Sequence, residues 1–259
     1  MPRIAVLKEG PIGWLIFDHP ERRNAITAEM WRAIPGAAAD LEQDPSIRVV
    51  ILRGAGETAF VAGADISEFE KTRSGASSTE YDKDNGLAFA SLEAIRKPVI
   101  AMIHGFCIGG GLALALTADL RYSADDGRFG IPAVRLGLGY GMAGVETLAR
   151  LVGLSRAKEI FFTAKRFTAD QALHMGLLNE VVAKAELEKE VRELARTIAE
   201  NAPLTIRALK HATQELQKPP AERDAAAVQR SIDACYASED YKEGVAAFLA
   251  KRSAVFRGV

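Results

Sequence analysis

Apolar and β-branched residues fill two short runs, 4–8 and 14–18, on either side of Glu9-Gly10-Pro11. That turn composition between such runs predicts two strands. The period then changes. After Thr27, a residue suited to cap a helix, Met30, Ile34, Ala37, Ala38 and Leu41 recur at helical spacing. A helix over 27–42 is predicted, kinked or split where Pro35-Gly36 interrupts the pattern. The run 49–52 reads as a buried strand, 81–96 as a helix, 98–103 as a buried strand and 110–117 as a buried helix. Between them the chain turns polar from Glu68, and 71–78 is the expected mobile surface segment. Strands alternating with helices predict an α/β core. Beyond Lys184 helical periodicity dominates, punctuated by Pro203 and Pro219-Pro220, and 196–259 predicts three helices. The chain thus divides into a core over 1–195 and a helical region over 196–259. A helical tail that cannot bury its own apolar face signals association with another subunit. A helical layer over one edge of the same domain fits the pattern as well.

One apolar run needs weighing as a membrane span, because 98–118 contains no Asp, Glu, Lys or Arg. Gly105, Gly109, Gly110 and Gly111 crowd its centre, and glycines that close break a helix. A strand, a glycine turn and a helix, all buried, is the expected arrangement. The N-terminus carries Arg3, Lys8 and Glu9 and lacks the apolar stretch of a signal peptide. With 34 acidic and 33 basic residues the net charge is -1, which excludes a bulk electrostatic grip on nucleic acid or anionic membrane. Two cysteines, Cys107 and Cys235, provide neither a disulfide framework nor metal-ligand spacing, and fit a cytoplasmic setting. No metal and no permanently bound cofactor is expected.

Two turns could carry chemistry, Phe60-Val61-Ala62-Gly63-Ala64-Asp65-Ile66 and His104-Gly105-Phe106-Cys107-Ile108-Gly109-Gly110-Gly111. Each marks a place where extended chain gives way to a helix and backbone N–H groups lack partners. Glycine and alanine leave room for a ligand oxygen, and two converging donors would form an oxyanion hole. Close packing explains the same glycines equally simply. A phosphate-binding GxxxxGK[ST] loop and a GxSxG elbow are absent. The GxGxxG match at Gly139-Tyr140-Gly141-Met142-Ala143-Gly144 follows no convincing buried strand, which argues against a dinucleotide site.

Asp18-His19-Pro20 with Asn24-Ala25, the two glycine turns, Gly176-Leu177-Leu178-Asn179, and Glu243-Gly244, Phe248, Lys251-Arg252 and Phe256 near the C-terminus together resemble the crotonase (enoyl-CoA hydratase/isomerase) superfamily. The resemblance covers nearly the whole chain. It implies a spiral of ββα units with a C-terminal helical trimerisation region, assembled as a homotrimer or a dimer of trimers. It implies an acyl-CoA thioester as ligand, with coenzyme A as part of the substrate. The thioester oxygen would lie between the N–H groups of Ala64 and Gly110. The Ala62 carbonyl would receive the adenine amino group, and Asp65 and Ile66 would line the pantetheine path. Arg22 would sit near the nucleotide, and Phe248 and Lys251 would reach it from an adjacent subunit.

The chain departs from the family pattern where hydratases carry two glutamates. Those positions are Ala113 and Ala133, the second after the Phe129-Gly130-Ile131-Pro132 turn. Alanine cannot move a proton, and one positioned acid/base group is worth roughly 10²–10⁴ in rate. Standard hydration is therefore not expected. Around Tyr140 the sequence is similar to the methylmalonyl-CoA decarboxylase branch, which also lacks those glutamates; Ala64 stands at or near that branch's histidine. Tyr140 would then touch the acyl group or simply wall its pocket. A carrier that binds acyl-CoA without turnover is a further reading. His104 is expected as a packed strand-end residue, Asp65 as a helix cap, Glu146 on a helix surface, His19 in a turn, and His174 and His211 in helical runs without an apparent partner.

Overall fold

In the computed structural model residues 1–68 and 76–259 are described. Strands β1 (Arg3–Glu9) and β2 (Ile12–Asp18) form the expected antiparallel pair, Glu9 opposite Ile12. Helix α1 (Ala28–Gln43) follows, its N-terminus capped by Thr27 Oγ1, which accepts from the Met30 N–H at 3.2 Å. It runs unbroken through Pro35, so the split allowed for there does not occur. Trp31 and Ile34 before the proline and Ala38 and Leu41 after it are all buried on one face. Each large side chain contributes about 1.5–3 kcal/mol, which together exceeds the ~3 kcal/mol cost of an interior proline.

The chain continues through β3 (Val49–Gly54), β4 (Ala59–Val61), α2 (Ala76–Glu93), β5 (Val99–Ile103), β6 (Phe106–Ile108), α3 (Gly110–Leu116), β7 (Leu120–Ala124) and β8 (Arg128–Gly130). Next come α4 (Met142–Thr163), bent at Gly153, β9 (Phe167–Thr168), α5 (Ala169–His174), β10 (Glu180–Val182) and α6 (Leu187–Glu200). Helix α2 begins ahead of the expected residue 81, and residues 71–75 of the polar run fall outside the described residues.

Six strands form one sheet in the order β1-β2-β3-β5-β7-β10, parallel from β2 onward. Both faces are buried. Val50 and Leu52 enter the larger core with α1, whereas Val49 and Ile51 pack in a second core beneath Leu187, Val191 and Ala195 of α6. That double burial explains why these strands read as continuous apolar runs rather than alternating ones. A second sheet, β4-β6-β8-β9, consists of strands of three residues or fewer. Its strands lie in glycine-bounded segments too short for a periodic signal, so they were not expected. Together these elements make the α/β spiral of ββα units.

The predicted three helices are α7 (Pro203–Leu216), α8 (Ala225–Ala237) and α9 (Glu239–Leu249). The tail beyond them folds back on the core. Asp240 accepts from the N–H groups of Arg257 and Gly258 at 2.6 and 2.7 Å, and Arg48 donates to the Phe256 carbonyl at 2.8 Å. Among the described residues no helix is long and apolar enough to cross a membrane.

Candidate active site

Ala64 and Gly110 come together. Ile26 donates to the Gly63 carbonyl and accepts from the Asp65 N–H, both at 2.9 Å. In a parallel bridge of this kind the intervening residue turns its own N–H to the opposite side. The Ala64 N–H therefore faces away from Ile26. A Cβ placed on Gly110 would lie 3.7 Å from the Ala64 nitrogen. Gly110 opens α3, so its N–H has no intrahelical acceptor. Gly109 adopts φ 54°, a left-handed value, and a Cβ on Gly111 would overlap the Val61 carbonyl oxygen. These constraints press β4 against the start of α3 and set the two amides side by side.

The floor beneath is aromatic. Trp31 Cζ2 lies 3.4 Å from the Cβ position of Gly110. Trp31 is buried, donates from Nε1 to the Tyr81 hydroxyl at 3.1 Å, and stacks edge-on with Phe89 at 5.4 Å between centroids. On the other flank the turn at residues 19–25 holds the first segment. Asn24 is 1% exposed, and its amide donates to the Ala55 and Ala59 carbonyls at 3.0 and 2.8 Å. The Ala62 N–H donates to the Arg23 carbonyl at 3.0 Å. The Arg23 guanidinium lies 4.7 Å from the Phe106 ring centre. Asn24 ties this turn to the glycine segment through long-range contacts that local pattern could not reveal.

Asp65 turns inward on its own backbone. Its carboxylate accepts from the N–H and hydroxyl of Ser67 at 3.0 and 2.7 Å, starting a short turn over Ile66–Glu68. Burial works against its ionisation, but the Ser67 hydrogen bonds, with Arg22 and His19 nearby, hold its carboxyl below the ordinary range. Arg22 and Ile66 are exposed. Ala113 lies one helical turn beyond Gly110 on the same side of α3. Ala133 is buried and follows Pro132, whose Cδ is 3.9 Å from the Cβ position of Gly109. The Gly109 N–H donates to the Gly130 carbonyl at 2.8 Å, locking that turn to α3. Ala113 thus shares the Gly110 side of α3, and Ala133 follows the turn that is tied to the start of that helix.

Tyr140 is 38% exposed ahead of α4 and meets the Phe161 ring edge-on at 4.9 Å. Phe248 is exposed on α9, and Lys251 follows it with φ 52°. His104 is buried beyond β5, and burial lowers the pKa of its imidazole, with Arg53 adding to the effect. Cys107 is fully buried and its thiol is pushed far up, so it is inert. Glu146 pairs with Arg150 at 2.7 Å on the helix surface. His211, expected without a partner, instead sits 3.1 Å from the Ser231 hydroxyl and 3.7 Å from Glu215. Glu215 lies one turn further along the same helix, a spacing the sequence shows, whereas Ser231 comes from α8, whose packing on α7 the local pattern does not encode. Among the described residues no cluster of three or more His, Cys, Asp or Glu could hold a metal ion.

Comparison with known proteins identifies the family. The enoyl-CoA hydratase/isomerase family model matches residues 8–259. A short-chain-enoyl-CoA hydratase of Clostridium acetobutylicum is 36% identical over 245 residues, covering 95% of this chain and 94% of that protein. A crotonyl-CoA hydratase of Syntrophomonas wolfei is 36% identical, covering 98% and 97% respectively. The crystal structure of an enoyl-CoA hydratase/carnithine racemase from Magnetospirillum magneticum superposes with a TM-score of 0.93 at 37% identity, covering 100% of this chain and 97% of that one. With the family model spanning almost its full length, the chain belongs to the enoyl-CoA hydratase/isomerase family.

Proposed function

We propose that the chain is an acyl-CoA-processing enzyme that stabilises a thioester enolate between the Ala64 and Gly110 N–H groups. The adjacency of those two amides carries the reading. As negative charge builds on the thioester oxygen, each donor strengthens its hydrogen bond, and one such donor is worth roughly 10²–10³ in rate. The Ala62 carbonyl takes the adenine amino group, Asp65 and Ile66 flank the pantetheine, and Arg22 stands at the nucleotide end. Phe248, 83% exposed, and Lys251 serve a neighbouring subunit's nucleotide in a homotrimer or dimer of trimers. The exposed side chains of Leu209, Leu216, Tyr236 and Leu249 support such an assembly.

The reaction itself does not follow the hydratase names of the Clostridium acetobutylicum and Syntrophomonas wolfei relatives. Ala113 and Ala133 supply no group to orient water or move a proton. A second reading uses Tyr140. In a malonyl-type ester the bond from Cα to the carboxylate breaks, carbon dioxide leaves, and the electron pair enters the enolate. Cα then takes a proton, with Tyr140 beside the acyl group. Assaying 2-enoyl-CoA and methylmalonyl-CoA panels for thioester absorbance and carbon dioxide release tests both. Slow or absent hydration is expected, whereas hydration at ordinary enzyme rates would refute the reading of the alanines. Carbon dioxide release that falls in Tyr140→Phe supports decarboxylation. Tight ester binding without turnover would leave a binding protein and overturn the enzymatic reading.

A further inference from the structure

A cleft of about 260 Å³ opens where the residues preceding β3 and β5 meet α7 and the C-terminal tail. It lies at the opposite end of these two parallel strands from the segments that carry Ala64 and Gly110. Arg48, Arg96, Lys97, Arg207 and Arg257 line it against a single carboxylate, Glu42. Glu42 is engaged by Arg96, accepting from its Nε at 2.9 Å and its backbone N–H at 3.0 Å. Lys97 Nζ donates to the Leu41 and Asp44 carbonyls, each at 2.6 Å, and the Asp44 carboxylate is paired with Lys8 at 2.9 Å. Arg48 donates to the neutral Phe256 carbonyl. Arg207 and Arg257 are exposed, and among the described residues no acceptor or carboxylate lies within bonding distance of either guanidinium. Arg257 acts on Glu243 only at longer range, and Glu243 already holds Arg252 at 2.6 Å.

The backbone contributes further donors. Helix α7 starts after Ala202 with no side chain capping it; Pro203 and Leu204 line the cleft, and since proline has no N–H the first unpaired backbone donor there is that of Leu204. Burial, reinforced by Arg207, holds the Lys97 ammonium below its ordinary value despite Glu42 and Asp44. An arriving anion would relieve that repulsion. Four cations without a carboxylate of their own, beside an uncapped helix start, suit phosphoryl oxygens. The volume falls below the roughly 300–1,000 Å³ of sites for larger organic ligands.

We propose that this cleft binds a phosphate-bearing anion, gripped by Arg207 and Arg257 at its mouth and by Arg48 and Lys97 behind them. Calorimetric titration of the full chain with inorganic phosphate, pyrophosphate, ADP and citrate at fixed ionic strength tests it. Pyrophosphate should bind saturably at one site per chain. Its affinity should fall at least tenfold in Arg207→Gln/Arg257→Gln, while acyl-CoA ester binding stays within about twofold. Arg207→Lys/Arg257→Lys, which keeps the charge and loses the fork, should fall between. Arg22→Gln should leave pyrophosphate binding unchanged, separating this cleft from the nucleotide end of the thioester site. ADP equal to pyrophosphate assigns recognition to the phosphoryl groups alone, and tighter ADP adds a nucleoside contact. Absent saturable binding, undiminished binding by a folded Gln double variant, or tighter citrate would overturn the proposal.

Discussion

The spiral core and the C-terminal helices spend their apolar residues in opposite ways. In the core, Trp14, Phe17, Trp31, Phe60 and Phe129 are all at most 1% exposed. In the helices beyond residue 203 the buried apolar side chains are only Ala208 and Ala247, while Phe248 is 83% and Leu249 76% exposed. Helix α8 buries no residue at all. The core therefore has the means to hold its fold and to fix two amides within a narrow tolerance. The helices present apolar surface that a further subunit would cover.

Breaking the core should cost most. Trp31→Ala removes the floor under Gly110 and should destabilise the chain by about 3–5 kcal/mol, measured by urea unfolding. It should also lower acyl-CoA ester affinity in whatever folded fraction remains. The helices should answer differently. Leu209→Ser with Leu216→Ser and Leu249→Ser should raise the dissociation constant of the assembly at least a hundredfold in analytical ultracentrifugation. Subunit stability should stay within about 0.5 kcal/mol, since surface changes seldom do more. An assembly unaffected by all three would erase the contrast between the two regions.

A smaller effect tests the capped entrance of α1. Thr27→Ala removes the acceptor for the Met30 N–H and should cost about 1 kcal/mol. The smallest concerns the tail. Hydrogen bonds from Arg252 and from the Val255 N–H lower the Glu243 pKa from 4.5 to about 2. A carboxyl depressed on folding stabilises the native state above its unfolded pKa and loses that contribution as pH falls. The melting temperature of wild type should exceed that of Glu243→Gln above pH 4.5, and the gap should close toward pH 2. A gap that stays constant across that window would remove the ion pair from the account of the tail.

Much of the core was legible because its periods are long and consistent. The apolar stripe of α1 and the run over 49–52 announced themselves, and so did the three terminal helices. Proline misled at Pro35 because burial on both sides of it outweighs a local penalty. The second sheet was invisible because three residues carry no period. At the site, the glycines marked where backbone could approach a ligand, while of the residues that hold the two segments in place Trp31 drew no reading and Asn24 stood only as part of a family-like turn. Their roles come from contacts made across the chain, Trp31 to Tyr81 and Asn24 to Ala59. Ala113 and Ala133 were informative only through the family resemblance, which implies a carboxylate at each position where the sequence has alanine.

The central claim concerns one oxygen atom. A crystal of the protein with a non-reactive acyl-CoA analogue that keeps the thioester carbonyl tests it most directly. The account places the thioester oxygen about 2.7–3.1 Å from both the Ala64 and Gly110 nitrogens. An analogue bound in the same crevice with that oxygen turned away from either amide would contradict it.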